Sequence, residues 1–312
     1  MPGFLSHYIA GQAALQALPP APQNHIHPYQ QLYNLGAQGP DIFFYYLPGL
    51  MCKRTRGVGR QMHQNDLGIF IAYMAYVAKN AQPPKQDVIF AYTAGLVMHY
   101  MLDIHAHPYV YSQTHNHHAS GLQNSAAHRH FETSIDIALL DYVKGEKPAN
   151  YHQWQLIHAE FCQLSTASAA ISQGLHHIYQ RKIPPHNIHR AMAHMIGITR
   201  LLRSRKGRRK KWMAIAENLT VKEPILSSMV HAQSAQDRDY LNQSRKPWIP
   251  PWDGGEQSTD SFIDRYTNAV AEGADIITTL HQYVYEKGRL QALANKLGNR
   301  SLKTGMPCGG TS

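Results

Sequence analysis

The sequence predicts an all-α fold, a multi-helix bundle that occupies residues 1–290 as a single domain. Three observations favour this fold: apolar residues recur at helical spacing, alternating strand patterns are few, and the chain has no internal repeat. Of the 312 residues, 43% are hydrophobic and 16% are charged, so the chain can bury a large core. The closing residues 291–312 are predicted to form a flexible C-terminal tail.

The individual helices follow from apolar periodicity and from the positions of proline and glycine. In chain order, helices are predicted at 5–18, 66–80, 87–107, 126–145, 151–180, 186–206 and 259–287. Pro108 is expected to end or bend the third helix, because proline lacks the amide hydrogen that a helix interior needs. Gly and Pro interrupt residues 33–49, which predicts an irregular segment partly buried through its aromatic side chains. Residues 244–255 are predicted to form an ordered loop anchored by Trp248 and Trp252.

Charge and cysteine content limit the classes of function. The chain has 30 Lys and Arg against 20 Asp and Glu, a formal net charge of +10 that favours anionic partners. Basic residues are concentrated in the run Arg203–Lys211 ("RSRKGRRKK"). The sequence leaves two interpretations open, a solvated turn between helices or a contact with an anionic membrane surface or nucleic acid. The three cysteines form no CxxC motif, which excludes a cysteine-rich zinc site and disfavours a disulfide scaffold.

No segment of the sequence has the pattern of a transmembrane helix. The longest apolar stretch, residues 68–78, is too short to span a bilayer. The first residues lack the basic region and the continuous apolar run of a signal peptide. A cytoplasmic location is therefore expected.

Histidine is the unusual component, with 21 residues in the chain and a concentration in residues 99–130. A helix turns about 100° per residue, so side chains four and eight residues apart lie within about 80° of each other. His99, Asp103 and His107 can therefore face one side of the third predicted helix, whereas His105 faces away. This spacing predicts a metal-binding face.

A second helix repeats the four-residue step with His128 and Glu132. Such i,i+4 pairs are common zinc ligands because both side chains reach one ion. A single pair arises easily by chance in a chain so rich in histidine. Two pairs on strongly apolar helices favour a metal site, since a buried carboxylate is costly unless it is paired. The "HNHH" stretch at 115–118 lies in a polar segment and is predicted to be solvated.

The order of these residues resembles that in the zinc-dependent phospholipases C, whose all-α fold is shared with the P1/S1 nucleases. In that family an HxxxD pair, a later His and an HxxxE or HxxxD pair follow one another. The matching residues here are His99–Asp103, His107 and His128–Glu132. Upstream, the family has an N-terminal His, a loop Asp and another His, which correspond to His7, Asp41 and His63. A weaker likeness extends to about residue 287, and "MPGFLSHYIAGQ" and "KPWIPPWD" resemble an intracellular bacterial branch.

The resemblance implies two or three Zn²⁺ ions in a bundle of the phospholipase C / P1 nuclease type. Its ligand sets would be Asp41, His63, His99 and Asp103; then His107, His128 and Glu132; then His7 and Asp103, with Asp103 bridging the first and third ions. The secreted relatives place the later His where this chain has Tyr109. The choice of His107 as the ligand after Asp103 therefore depends on its helix face and stays open. They also complete the third site with a processed N-terminus, so the third ion stays open too.

By the same resemblance, the chain is a zinc-dependent phosphodiesterase that hydrolyses its substrate with a zinc-bound hydroxide. Asp41 would orient or deprotonate the attacking water. The expected substrate is a phospholipid or another phosphodiester, with nucleic acid as an alternative. The aromatic residues that could line an apolar wall, about half of them expected to be core, are Phe43, Phe44, Tyr45, Tyr46 and Tyr109. The alternative to an enzyme is a basic helical protein that binds nucleic acid or anionic membrane, with structural or metal-storing histidines.

Overall fold

The computed structural model describes residues 3–47, 53–115, 120–201, 238–252 and 256–308. Within these ranges the chain forms twelve α-helices and no strand, so the predicted all-α fold is confirmed. The basic run Arg203–Lys211, with its predicted contact to anionic membrane or nucleic acid, lies outside the described residues.

The described helices are α1 Phe4–Ala17, α2 Pro20–Ile26, α3 Gln30–Gly36, α4 Lys53–Gln64, α5 Leu67–Lys79, α6 Lys85–Thr114, α7 Gly121–Lys144, α8 Gln153–Leu156, α9 Phe161–Tyr179, α10 Pro185–Leu201, α11 Phe262–Tyr285 and α12 Leu290–Leu297. A 3₁₀ helix, Gly39–Tyr45, connects α3 to the segment before α4. The described part of the segment predicted to be irregular, residues 33–47, is thus partly α-helical and partly 3₁₀-helical. The single helix predicted at 151–180 is instead divided between α8 and α9.

Helix α6 forms the centre of the bundle, with α1, α3, α5, α7 and α11 packed against it. Most of its side chains are buried, which agrees with apolar residues on every face. Among the described residues, α6 is the one helix long and apolar enough to cross a bilayer. Because 94% of its apolar window is buried inside the protein, α6 has the burial expected of a core helix.

Of the two effects predicted for Pro108, an end or a bend of the helix, the end is wrong, because α6 continues to Thr114. An interior proline costs about 3 kcal/mol, and burial of the turn that follows outweighs it here. Tyr109 and Val110 are 2% and 0% exposed. The carbonyl of Ile104, for which Pro108 has no amide hydrogen, lies against Gly305, where an added Cβ would be 2.6 Å from that oxygen.

Two glycines let α3 approach α6 closely. A Cβ on Gly36 would lie 2.2 Å from the carbonyl oxygen of Tyr92, and one on Gly95 would lie 2.0 Å from that of Tyr33. Any larger residue would push the helices apart. This close packing places the 3₁₀ helix after α3 directly beside the middle of α6.

The C-terminal segment differs from its prediction. Residues 291–308 are not a flexible tail, because α12 buries Leu293 and Leu297 against α5 and α11, and Leu302 is 1% exposed. The four-residue spacing of the first two leucines gives α12 an apolar face that the bundle covers. The predicted loop anchor Trp248 is buried, and its indole Nε1 donates to the carbonyl of Asp260 at 3.0 Å.

Candidate metal centre

The structure brings together all eight residues that the sequence predicts as metal ligands. They come from α1, the 3₁₀ helix, α4, α6 and α7, and they form three groups. The groups are His7, His99 and Asp103; Asp41, His63 and His99; and His107, His128 and Glu132. Within each group, one ligand atom from every residue lies within 4.8 Å of the others.

Asp103 lies at the middle of this cluster and is fully buried. Its Oδ1 is 3.4 Å from Nε2 of His7, and its Oδ2 is 3.3 Å from Nε2 of His99. Nδ1 of His107, one helical turn further along α6, lies 4.0 Å from Oδ2. The two carboxylate oxygens thus face different imidazoles, an arrangement that suits a carboxylate shared between ions.

The second pair predicted from the sequence lies next to this centre. Nε2 of His128 is 2.7 Å from Oε1 of Glu132, and Nε2 of His107 is 3.9 Å from the same oxygen. At the other side of the cluster, Nε2 of His63 is 3.2 Å from Oδ1 of Asp41. His107 therefore joins the group on α7, as its helix face predicts.

Backbone carbonyls hold three of the imidazoles by their Nδ1 atoms. His63 bonds the carbonyl of Gly59 at 2.6 Å, His99 bonds that of Ala37 at 3.2 Å, and His107 bonds that of Leu302. An Nδ1–H donated to a carbonyl fixes the neutral tautomer whose Nε2 is free for a metal. These carbonyls orient the rings towards the cluster.

Several buried polar atoms at the centre have no hydrogen-bond partner among the described residues. They include Nε2 of His7, His63, His99 and His107, Oδ1 of Asp41, and both carboxylate oxygens of Asp103. Leaving such atoms unsatisfied costs about 1–3 kcal/mol each, and more for a charged group. Nitrogen and oxygen donors in this arrangement fit zinc, which would satisfy them.

Burial and mutual contact also set the protonation states that a metal requires. Burial lowers the pKa of His107 to about 3 and that of His128 well below its usual value. Burial opposes the charge on Asp103, but its contacts with His107, His99 and His7 outweigh burial and hold its pKa well below the usual range. Metal ligands must be deprotonated, and these shifts in pKa favour that state for His107, His128 and Asp103 at neutral pH.

Two residues that the sequence did not single out position the ligands. Asp136 on α7 is fully buried and accepts hydrogen bonds from the backbone amides of Leu5 and Ser6, which fixes the start of the helix that carries His7. Gly39 has a φ of +52°, and a Cβ there would lie 2.4 Å from the imidazole of His99. Neither role has a local sequence signal, because both partners are distant in the chain.

Tyr111 is a third residue that sequence reasoning missed. It continues the four-residue step of α6 beyond His107, and its ring centroid lies 5.6 Å from that of His107 and 4.6 Å from that of His128. The same periodicity that predicted the ligands could have identified it. The ring of Trp252 also lies near that of Tyr111 in an edge-on arrangement, with ring centroids 6.2 Å apart.

His105, which is expected to face away from the other histidines of α6, lies outside the site. Nε2 of His105 is 2.7 Å from Oε2 of Glu272 on α11 and does not join the three groups. The hydroxyl of Tyr109, which occupies the position of the family's later His, donates to the carbonyl of Tyr240 at 2.9 Å. Most of the "HNHH" stretch lies outside the described residues.

Comparison with known proteins agrees with this arrangement. The family model described as zinc dependent phospholipase C matches residues 6–198, which include all eight residues of the cluster. No curated protein and no solved structure matches the chain. Because the family model covers more than half of the sequence, the chain belongs to the zinc-dependent phospholipase C family.

Proposed function

We propose that the chain is a zinc-dependent phosphodiesterase that cleaves phospholipids in the manner of a phospholipase C. The observation that carries this proposal is Asp103, a fully buried carboxylate whose two oxygens face two different imidazoles, those of His7 and His99. A cluster built around one shared carboxylate can hold ions close enough to act on one phosphate. Family membership supports the class of substrate.

The ligand sets support two ions in full and a third in part. Nδ1 of His99 is bonded to a carbonyl, so its remaining Nε2 can serve only one of the two groups to which it belongs. If His99 joins Asp41 and His63, then His7 and Asp103 are left to hold a third ion with two protein ligands. We therefore propose three ions, the one beside His7 being the most easily removed.

Zinc in this cluster would lower the pKa of water, neutralise phosphoryl oxygens and stabilise the leaving oxygen. The protein's own contribution is to hold the donors in place and to handle the proton. Asp41 is suited to orient or deprotonate the attacking water, because its side chain is 13% exposed whereas Asp103 is fully buried. A carboxylate at the edge of the cluster can contact both water and substrate.

The more exposed ligands indicate where the substrate would enter. The side chains of His63 and His128 are each 14% exposed, whereas those of His7 and His99 are 1% and 0% exposed. A partly exposed aromatic residue lies beside each of the two exposed ligands. The ring of Phe44 is 5.5 Å from that of His63, and Tyr111 contacts His128.

These two aromatic rings could receive the apolar part of a phospholipid near the reacting phosphate. Of the residues predicted for an apolar wall, Phe43, Tyr46 and Tyr109 are instead buried in the core. Aromatic rings also stack on nucleic-acid bases, so the two substrate classes must be separated by assay.

The test combines metal content with product analysis. Purified protein, equilibrated with zinc and desalted, should contain two or three zinc per chain by elemental analysis. It should release diacylglycerol from phosphatidylcholine vesicles faster than it degrades single-stranded DNA. Less than one zinc per chain would refute the proposed metal centre. Bound zinc without chelator-sensitive hydrolysis of either substrate would leave a metal-binding protein without this activity.

A matched pair of variants connects activity to the cluster. Asp103→Asn should remove activity and at least one zinc, because an amide cannot serve as a bridging anion. Asp87→Asn changes a carboxylate on the same helix that contacts His25 and Tyr285 outside the cluster, and it should keep the zinc content. Equal loss of activity and zinc in both variants would indicate general damage to α6 and would contradict the assignment of Asp103 to the metal centre.

A further inference from the structure

A segment near the C-terminus contacts the metal cluster from outside the family match. This segment, residues 299–308, is called here the C-terminal strap. The carbonyl of Leu302 in the strap accepts the hydrogen bond from Nδ1 of His107. The carbonyls that orient His63 and His99 come from Gly59 and Ala37, which lie within residues 6–198, whereas Leu302 does not.

The strap is closed by its own backbone hydrogen bonds. The amide of Ser301 donates to the carbonyl of Met306 at 2.8 Å, and that of Gly305 donates to Ser301 at 2.8 Å. The amide of Cys308 donates to the carbonyl of Asn299 at 2.7 Å. These bonds give the Leu302 carbonyl a defined direction, so it can act as a fixed acceptor.

Side chains of α6 and α11 hold the strap against the bundle. Glu272 on α11 forms an ion pair with Arg300 at 2.5 Å and contacts His105 on α6 at 2.7 Å. The hydroxyl of Tyr100 accepts a hydrogen bond from the amide of Arg300 at 2.7 Å. His105, which lies outside the metal groups, thereby contributes to holding the strap.

The contacts around Leu302 leave little freedom for it to move. Leu302 is 1% exposed, and Gly305 lies so close to the Ile104 carbonyl that an added Cβ would be 2.6 Å from it. The carbonyl and the imidazole are therefore held by separate parts of the chain that meet at one hydrogen bond. Loss of that bond would free His107 to rotate or to change tautomer.

We propose that the C-terminal strap is a positioning element of the metal centre, which keeps Nε2 of His107 directed at Glu132 through the Leu302 carbonyl. Retention of the ion in the group His107, His128 and Glu132 then depends on a residue 195 positions after His107. Outer partners of metal ligands typically change metal affinity by about 10–100-fold. The inference rests on the proposed zinc binding.

Two variants release the strap without touching a ligand, and each has a matched control. Arg300→Gln breaks the ion pair to Glu272, and Arg245→Gln breaks a comparable surface pair with Asp264 of the same helix. Gly305→Ala adds a clash with Ile104 at a φ of +70°. Gly145→Ala adds the same kind of backbone strain at a φ of +63°, with no atom near its Cβ.

The first readout is zinc retention under a graded chelator, measured by elemental analysis. Wild type and both controls should keep their full zinc content to the same chelator concentration. Arg300→Gln and Gly305→Ala should release one equivalent at about 10–100-fold less chelator. Hydrogen exchange should show faster exchange of the strap amides in these two variants and unchanged exchange in α1.

Zinc retention equal to wild type, in a variant whose strap amides exchange fast, would overturn the proposal. A chain ending at Gly298 lacks the strap entirely and should also lose one equivalent if it folds. If this shortened chain does not fold, the zinc retention of Arg300→Gln and Gly305→Ala tests the proposal instead. Absence of zinc from the wild type would instead refute the proposed function, so the two failures can be distinguished.

Discussion

The strongest prediction about stability concerns the carboxylate of Asp136. This fully buried side chain accepts from the amide of Leu5 at 3.0 Å, from the amide of Ser6 at 2.9 Å and from the hydroxyl of Ser6 at 2.6 Å. The first amides of a helix have no partner within the helix, so Asp136 on α7 caps α1 from outside. Gly3 permits this approach, because a Cβ there would lie 2.2 Å from Oδ2.

The magnitude follows from the bonds that are lost. Asp136→Ala leaves two buried amides and one hydroxyl without an acceptor, at about 1–3 kcal/mol for each unsatisfied group, and some of that cost is relieved by water. We expect a loss of about 3–5 kcal/mol. The unfolding entropy is about 2.1 cal/mol/K per residue, so in a chain of 312 residues each kcal/mol of lost unfolding free energy lowers the melting temperature by about 1.5 °C. The melting temperature should therefore fall by about 5–7 °C. Asp136→Asn keeps one acceptor oxygen and should cost about half as much.

The assay is thermal unfolding of protein with and without zinc, followed by circular dichroism. Ser134→Ala is the control, because this hydroxyl on the same helix donates to the carbonyl of His130, four residues earlier, and so stays within its own helix. It should change stability by less than about 1 kcal/mol. Because His7 lies within the first turns of α1, Asp136→Ala should also release zinc more readily than the control. Melting of Asp136→Ala within about 1 °C of Ser134→Ala would refute the capping argument.

Three further predictions follow from the site. Gly39→Ala places a Cβ against the imidazole of His99 at a strained positive φ, so it should lower zinc content by about one equivalent while Gly145→Ala does not. The stability of chelator-treated protein should fall as pH drops from about 6.5 towards 3, by about 1.4 kcal/mol per pH unit from His107, because the unfolded chain binds a proton that the folded state excludes. The measurement is the urea midpoint as a function of pH for wild type and His107→Asn. The same dependence on pH in both proteins would contradict this prediction. Tyr111→Ala should raise KM for vesicles severalfold with unchanged zinc content, and an unchanged KM would exclude Tyr111 from the substrate wall.

The sequence predicted which residues the fold brings together, because helical geometry and local spacing determine most of that set. His99, Asp103 and His107 share one face of α6 simply because they are four residues apart. The structure brings His128 and Glu132 to the same place, although nothing in their local spacing specifies which helix they face. Their convergence depends on how α7 packs, and here the resemblance to a family supplied what periodicity could not.

The misjudged features are those that depend on tertiary packing. Pro108 is predicted to end or bend a helix. The helix does not end there, because α6 is surrounded on all sides and packing outweighs a local penalty of about 3 kcal/mol. Residues 291–308 were expected to be flexible, since their composition is that of a tail. Their order comes from contacts with α5 and α6, far away in the sequence, and with α11, the helix that precedes them. Asp136 and Gly39 were missed for the same reason.

The position of the metal centre explains why these long-range contacts matter to it. Most of the ligands lie in the most buried part of the bundle, so without metal the fold must keep an ionised Asp103 and several unsatisfied imidazoles away from water. Metal binding relieves that cost only if every ring is already directed inward. The carbonyls of Ala37, Gly59 and Leu302 do this from three separate segments. If the cluster binds zinc as proposed, folding of the whole chain, including its C-terminal strap, is therefore part of what would prepare the site.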